Sequence, residues 1–354
     1  MSKINSFFGE NSFISNFLIK TTPEEIELAK SKISSKISTV WDPALEVNLD
    51  TIRTNSAKIE AKYLQLQKNP KKIKNQFLLA YSILIIGIII GVLILITTGS
   101  FQVTFFLIFF LSFPIFFLHS SYKSLSVDII KLQIAEQKSW VYNPEHDRTK
   151  WSSLRRVFPE IFTEGNENQY IEDQFWGTTK VKNKAFHFHS GLFSYDVVTR
   201  DSKGRRHTTT YKKHYISLYT SKKLKCRFHL HPEGAFSKIG NIFTKKEIKT
   251  ESNAFNKTFA FSYKGSKGEN AQEIVKTLSP AIQDKLVELS KRKNGTEVLF
   301  NDNTITFRFD GIFFKNLHTN LKKSLKINSK DLEYIDQELS TLSEISSEVI
   351  QYLD

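Results

Sequence analysis

Residues 77–118 read FLLAYSILIIGIIIGVLILITTGSFQVTFFLIFFLSFPIFFL, with no Asp, Glu, Lys, Arg or His among them. A hydrocarbon core of about 30 Å is crossed by roughly 20 helical residues, and this stretch is about twice that long. Its middle, Thr97-Thr98-Gly99-Ser100-Phe101-Gln102, collects small polar residues, a glycine and the block's only amide side chain. The pattern predicts two membrane helices, near 77–98 and 102–118, joined by a tight turn. One buried helix of a soluble protein would not need such length.

The second span is rich in phenylalanine and contains Pro114, which frees a backbone carbonyl and predicts a kink packed against the first span. Gly87 and Gly91 have the Gly-xxx-Gly spacing that lets helices approach closely, either span against span or between two copies in a homo-oligomer. Packing within the chain is the simpler reading. Lys68, Lys71, Lys72 and Lys74 precede the block, Lys123 follows it, and the turn is uncharged. Because positive flanks stay on the cytoplasmic side, both termini are expected there, with the chain multi-pass in the inner (plasma) membrane.

Outside this block the chain is polar and basic. Its net charge of +14 and pI near 9.5 favour an anionic partner, and beside a membrane anchor the lipid surface is a simpler candidate than nucleic acid. The single cysteine, Cys226, allows no intrachain disulfide and fits a reducing compartment. The opening Met-Ser-Lys-Ile does not read as a secretory signal, and Ser2 stands where myristoylation needs glycine.

Four segments follow: 1–75, helical and cytoplasmic; 76–119, the transmembrane hairpin; 120–150, an exit helix and linker; and 151–354, a β-rich α+β domain. Thr22-Pro23-Glu24-Glu25 has the form of a capping box opening a helical region over 22–68. Asp42-Pro43 looks like a second helix start, with an amphipathic run from Ala44 to Leu66, and Ser124–Val141 reads as the exit helix. Alternating or aromatic-rich strands are expected at 184–189, 191–198, 207–220, 225–231, 257–263, 297–300 and 304–309. Turns are expected at Asp201-Ser202-Lys203-Gly204 and Asn301-Asp302-Asn303, and a helix over 281–293. An amphipathic acidic helix spans 330–353, with Ser329 as its cap and Asp331 and Glu333 near its positive end.

Two constellations could carry chemistry. Lys203, Arg205, Arg206, Lys212, Lys213, Lys222, Lys223, Lys225 and Arg227 fall in a stretch, 202–231, that contains no acid. They are the candidate anionic-surface contacts, towards lipid or an acidic protein, although lysines also simply protect strand edges. Interleaved tyrosines keep nucleic acid in view as the least favoured partner. The second constellation is His187-x-His189 and His229-x-His231. Residues two apart share a strand face, so each pair could offer two imidazoles to a divalent metal, and neighbouring strands would make a four-histidine site. No carboxylate at fitting spacing completes the site, Asp173 and Glu233 being possible extra donors, and two surface histidine pairs are the plainer reading. Cys226 lies between Lys225 and Arg227, which could lower its pKa. Gly265-Ser266-Lys267-Gly268 lacks the Lys-Ser/Thr of a phosphate loop. Adjacent Glu172 and Asp173 would point to opposite faces of a strand.

Several stretches resemble a bacterial family designated domain of unknown function 3137: Tyr170-Ile171-Glu172-Asp173 with Gly177, residues 250–259, Leu278-Ser279-Pro280-Ala281 with Leu286-Val287-Glu288-Leu289, and residues 298–305. The resemblance covers most of the chain after residue 60 and contains no catalytic motif. It implies a bacterial inner-membrane protein without assigned activity, and the histidines and basic run between Gly191 and His231 depart from it. The sequence thus predicts an α+β protein: N-terminal helices, a two-helix transmembrane hairpin, and an antiparallel β-rich cytoplasmic domain ending in an amphipathic helix. Its expected role is non-enzymatic, as an interaction module at the membrane surface for anionic lipid or a membrane or cytoplasmic protein. The alternative is a metal-binding domain with a hydrolytic or sensory role at the paired histidines.

Overall fold

A computed structural model describes residues 21–34, 40–44, 48–69, 71–181, 184–233, 248–263, 267–311 and 329–351. The chain divides into two compact units. One comprises residues 1–35, 53–133 and 318–326, the other 36–52, 134–317 and 327–354.

The first unit is helical. Helix α1 (Pro23–Ser34) opens on the expected capping box: the Thr22 amide donates to Glu25 Oε2 at 3.0 Å and the Glu25 amide to Thr22 Oγ1 at 3.3 Å. Its Ala29, with Ile26 and Ile33, packs on Ala57 and Ala61 of α2 (Leu49–Lys68). Helix α2 starts later than expected, because Asn48 caps it by accepting from the Thr51 amide at 3.1 Å, while Asp42 is engaged elsewhere.

Helices α3 (Lys71–Thr98) and α4 (Phe101–Lys138) are both long and apolar enough to cross a membrane. Gly99, at φ 63°, makes the turn between them. A Cβ on Gly87 would fall 2.0 Å from Leu111 Cδ1, and one on Gly91 would fall 3.1 Å from Thr104 Cγ2. The Thr104 hydroxyl donates to the Gly91 carbonyl at 3.0 Å, and Phe77 meets Tyr122 at a ring separation of 5.8 Å. The two glycines therefore serve packing between the helices of one chain. The side chains of Lys72 and Pro114 lie outside the described residues, but α4 runs through Pro114 unbroken. The exit helix expected from Ser124 is the continuation of α4, since His119-Ser120-Ser121-Tyr122-Lys123 contains no glycine or proline to stop it. At 38 residues, α4 is about 57 Å long.

The second unit is built on one antiparallel sheet of eight strands: β1 (Val141–Asn143), β2 (Glu167–Val181), β3 (Lys184–Arg200), β4 (Arg206–Tyr219), β5 (Phe228–Pro232), β6 (Phe259–Tyr263), β7 (Glu297–Asn301) and β8 (Thr304–Asp310). Their spatial order is β1-β2-β3-β4-β8-β7-β5-β6. The two strands expected at 184–198 are one, β3. Both expected turns form: Gly204 (φ 75°) donates its amide to the Asp201 carbonyl at 2.9 Å, and Asp302 takes φ 42° between β7 and β8.

Helix α5 (Arg148–Val157) lies over one sheet face, capped by Asp147, which accepts from the Lys150 amide at 2.7 Å. Its Leu154, followed by Phe158, Ile161 and Phe162, forms a core with Ile171, Phe193, Tyr215 and Leu299. Gly191 stands opposite Tyr215 in the ladder, and a Cβ there would meet the tyrosine hydroxyl at 2.8 Å. The remaining helices are α6 (Asn253–Thr258), α7 (Lys267–Thr277), α8 (Pro280–Arg292) and α9 (Ser329–Gln351). Helix α8 starts one residue before the expected Ala281, with Ser279 as its cap, and α9 packs on α8 and β2 with Ile335, Leu339, Leu342, Ile345 and Val349 buried. The side chains of Ser329 and Asp331, and residues 352–354, lie outside the described residues.

Replacing Gly87 with leucine forces a side chain into the space of Leu111, an overpacking that costs about 1–3 kcal/mol. The expected result is a lower melting temperature of the full chain in detergent micelles, and an unchanged one would contradict this packing.

Candidate functional site

Among the sequence-nominated bases, Arg205, Arg206, Lys212, Lys223 and Lys225 keep exposed side chains, while Lys213 and Arg227 are partly covered. Seven of the nine meet acids: Arg205 meets one in its own turn, and the other six meet acids from elsewhere in the domain. Arg205 pairs with Asp201 at 2.7 Å, Arg206 with Glu167 at 2.5 Å, and Lys212 with Glu172 at 2.5 Å. Lys213 reaches Glu164 at 3.0 Å and Glu297 at 3.4 Å, Lys223 reaches Asp302 at 3.5 Å, and Lys225 reaches Glu273 at 3.8 Å. Arg227 binds Glu160 and donates to the Val157 carbonyl. Lys203 is exposed in the β3–β4 turn, and Lys222 follows β4.

The histidine pairs lie on β3 and β5, with β4, β8 and β7 between them. At about 4.8 Å per strand they are roughly 19 Å apart, so the neighbouring strands that a four-histidine site requires are not there. Among the described residues, no three His, Cys, Asp or Glu side chains gather as metal ligands. His187 is exposed, 3.1 Å from Thr178 Oγ1, and His231 Nδ1 is 3.3 Å from the Pro232 carbonyl. Cys226 is not activated: burial, with Glu273 nearby, pushes its thiol up to about 11. Asp173 accepts from Tyr142 Oη at 2.9 Å, and Glu172 points elsewhere.

His189 and His229 instead sit in two buried charged networks. In the first, Asp42 accepts from Lys150 Nζ at 2.5 Å, from its own neighbour Ala44 N at 2.8 Å and from Trp176 Nε1 at 2.6 Å. His189 stacks on Trp176, with Nδ1 3.9 Å from Asp42 and Nε2 3.3 Å from Gln174 Oε1 and 3.4 Å from Tyr215 Oη. Burial opposes the charge on Asp42, but His189, Lys150 and the hydrogen bonds from Lys150 and Trp176 outweigh it, so its carboxyl lies below the usual range. Burial drives His189 down to about 3, so the ring is neutral at pH 7 and Lys150 supplies the countercharge.

In the second network, Arg308 Nη2 donates to both oxygens of Glu297 at 2.6 Å, and Arg308 also binds Glu164 and the Ile161 carbonyl. His229 Nε2 lies 3.1 Å from Glu297. Burial disfavours the Glu297 charge, yet Arg308, His229 and Lys213 hold its carboxyl far below the ordinary range. A smaller cluster, nearer solvent, centres on Glu172, which meets Ser194, Lys212 and His146, with the His146 ring stacked on Tyr170 at 4.4 Å. Burial resists that charge too, and the His146 and Lys212 contacts nonetheless bring the carboxyl to about 2.

The sequence reading missed Asp42, Lys150 and Trp176 as a group, because residues 42, 150 and 176 meet only through the fold. No local pattern marked the group, since Trp176 stands between Phe175 and Gly177. No protein-family model, curated protein or solved structure matches this chain.

Replacing Arg308 with methionine strands a buried carboxylate and is expected to cost about 3–5 kcal/mol in chemical denaturation, while the Glu297→Leu/Arg308→Met pair recovers much of it. Equal losses would contradict the network. Because the Glu172 carboxyl is lowered from 4.5 to about 2, its contribution is present above pH 4.5 and lost as the pH falls towards 2. Glu172→Gln is therefore expected to flatten stability over that window, and an unchanged acid limb would count against the cluster.

Proposed function

We propose that this chain is a multi-pass inner-membrane protein, with both termini and the sheet domain in the cytoplasm, and that it acts as a non-enzymatic interaction module at the membrane surface. One observation carries the membrane reading. Among the described residues, every exposed large hydrophobic side chain except Leu28, Tyr211 and Val275 lies between Leu78 and Phe116, on α3 and α4. Water does not tolerate a continuous apolar surface of that extent, and hydrocarbon does. Lys68, Lys71, Lys74 and Lys123 are exposed at the ends of this band, which supports a cytoplasmic side for both flanks.

The histidines and carboxylates engaged in packing networks support binding rather than catalysis. The family resemblance agrees with a membrane protein and assigns it no reaction.

After alkaline carbonate washing and ultracentrifugation of membranes, the full chain is expected in the pellet, released only by detergent. Recovery in the carbonate supernatant would overturn the proposal.

A further inference from the structure

Strands β3 and β4 run on together past the ends of β2 and β8. The outermost β2–β3 pair is Glu167↔Asp196, and the outermost β4–β8 pair is His214↔Phe309, with a single bridge beyond it from Lys213 to Gly311. Four further rungs, from Val197↔Thr209 to Arg200↔Arg206, carry the two strands about 13 Å outward to the Asp201–Gly204 turn. The Asn166 side chain pairs with the Val198 backbone at 2.9 and 3.0 Å and braces this ribbon at its base. Every residue from Ser202 to Lys212 is exposed.

The ribbon is a cationic surface whose one acid is already used. Residues 197–212 contain Arg200, Lys203, Arg205, Arg206 and Lys212 against Asp201 alone. The Asp201 carboxylate accepts from the amides of Lys203 and Arg205, each at 2.9 Å, and from Arg205 Nε at 2.7 Å, so it serves the turn. Arg200 stands directly opposite Arg206 in the ladder, where like charges repel. Glu167 answers Arg206 at 2.5 Å, but among the described residues no acid pairs with Arg200 or Lys203. Residues 199–208 contain no Phe, Tyr, Trp, Leu, Ile, Met or Val. Protein partners are held by buried anchors of that kind, and single-stranded nucleic acid by aromatic stacking. This tip instead suits a layer of phosphates, met by guanidinium forks and an ammonium without packed contact.

We infer that the tip of the β3–β4 ribbon, through Arg200, Lys203, Arg205 and Arg206, docks on the phosphate headgroups of the anionic bilayer that holds α3 and α4. This rests on reading the chain as a membrane protein, and it names the part of the sheet domain that meets the lipid. Anionic headgroups attract bases within about 8 Å at physiological salt. Because the anchor and the ribbon belong to one chain, the contact is intramolecular and the headgroups are present at high effective concentration. Arg200 belongs to the contact although Asp201 separates it from the acid-free stretch, whereas Lys213 and Arg227, partly covered beside their acids, do not.

The test places the full chain in lipid nanodiscs, with a donor fluorophore on Ser202→Cys in a Cys226→Ala background and an acceptor dye on the headgroups. Energy transfer is expected to be higher in discs of equal parts phosphatidylglycerol and phosphatidylcholine than in discs of phosphatidylcholine alone, and to fall to the lower level in concentrated sodium chloride. Each base near an anionic surface is worth about fivefold in partitioning, so Arg200→Gln/Lys203→Gln is expected to weaken docking about 25-fold and remove the lipid dependence. Lys257→Gln/Lys291→Gln, which removes the same charge from exposed positions on α6 and α8, is expected to keep it. Equal transfer in the two lipids, or an equal loss in both variants, would overturn the inference. So would a glutamate-rich peptide that binds the tip in discs showing no lipid dependence, because the tip would then belong to an acidic protein. A chain that enters the discs without lipid-dependent transfer refutes the docking and leaves the anchor standing, and one that does not enter them refutes both.

Discussion

An isoleucine- or phenylalanine-covered helix needs a solvent that does not hydrogen-bond, and the long helices α3 and α4 impose that requirement on the whole molecule. Between Leu78 and Phe116 their outward faces are apolar, and their inward faces are shaped for each other. Small residues at Gly87 and Gly91 admit Leu111 and Thr104, and the threonine hydroxyl returns its hydrogen bond to the Gly91 carbonyl. In hydrocarbon, close packing and satisfied polar groups hold helices together, because lipid tails remove the hydrophobic drive between them. In the proposed topology, the exposed lysines at both ends mark one side of the bilayer.

The sheet domain solves a different problem. Charged residues are buried where α5 and the residues after it cover the sheet, so those charges must be neutralised in place. Arg308 with Glu297 on the strands, and Lys150 of α5 with Asp42, do this with short, directed contacts. Buried pairs of this kind add little net stability compared with apolar side chains, but breaking one is expensive, which makes them good determinants of one arrangement over its alternatives. Each ties a covering segment to the sheet: Arg308 holds the Ile161 carbonyl and Glu164, and Lys150 holds the Asp42 loop. The domain is thereby a fixed platform with one loop latched on by charge.

The parts legible in the sequence were those whose signal is local. The apolar block, the Thr22 capping box, the Gly204 and Asp302 turns, the helix after Pro280 and the periodicity of α9 each need only a few neighbouring residues. The strand β2 escaped notice because bulges between Glu167 and Tyr170 and between Glu172 and Phe175 break its alternation. Helix α5 was hidden by its own charge, with only a short apolar stripe among arginines and serines. The ion pairs of the basic run were illegible for a related reason. Apart from Asp201 beside Arg205, the acids lie tens of residues away in sequence, such as Glu172 for Lys212 and Glu164 for Lys213, and only the fold brings them together. The histidine pairs likewise looked like one site until three strands proved to separate them.

The most direct measurement of the anchored topology is maleimide labelling of single cysteines placed at Gly99, in the turn between α3 and α4, and at Ser202, in the β3–β4 turn, in a Cys226→Ala background. With an impermeant reagent, the cysteine at position 99 is expected to react in intact cells, and the one at 202 only in everted vesicles or after permeabilisation. Labelling of position 202 from outside intact cells would contradict the account.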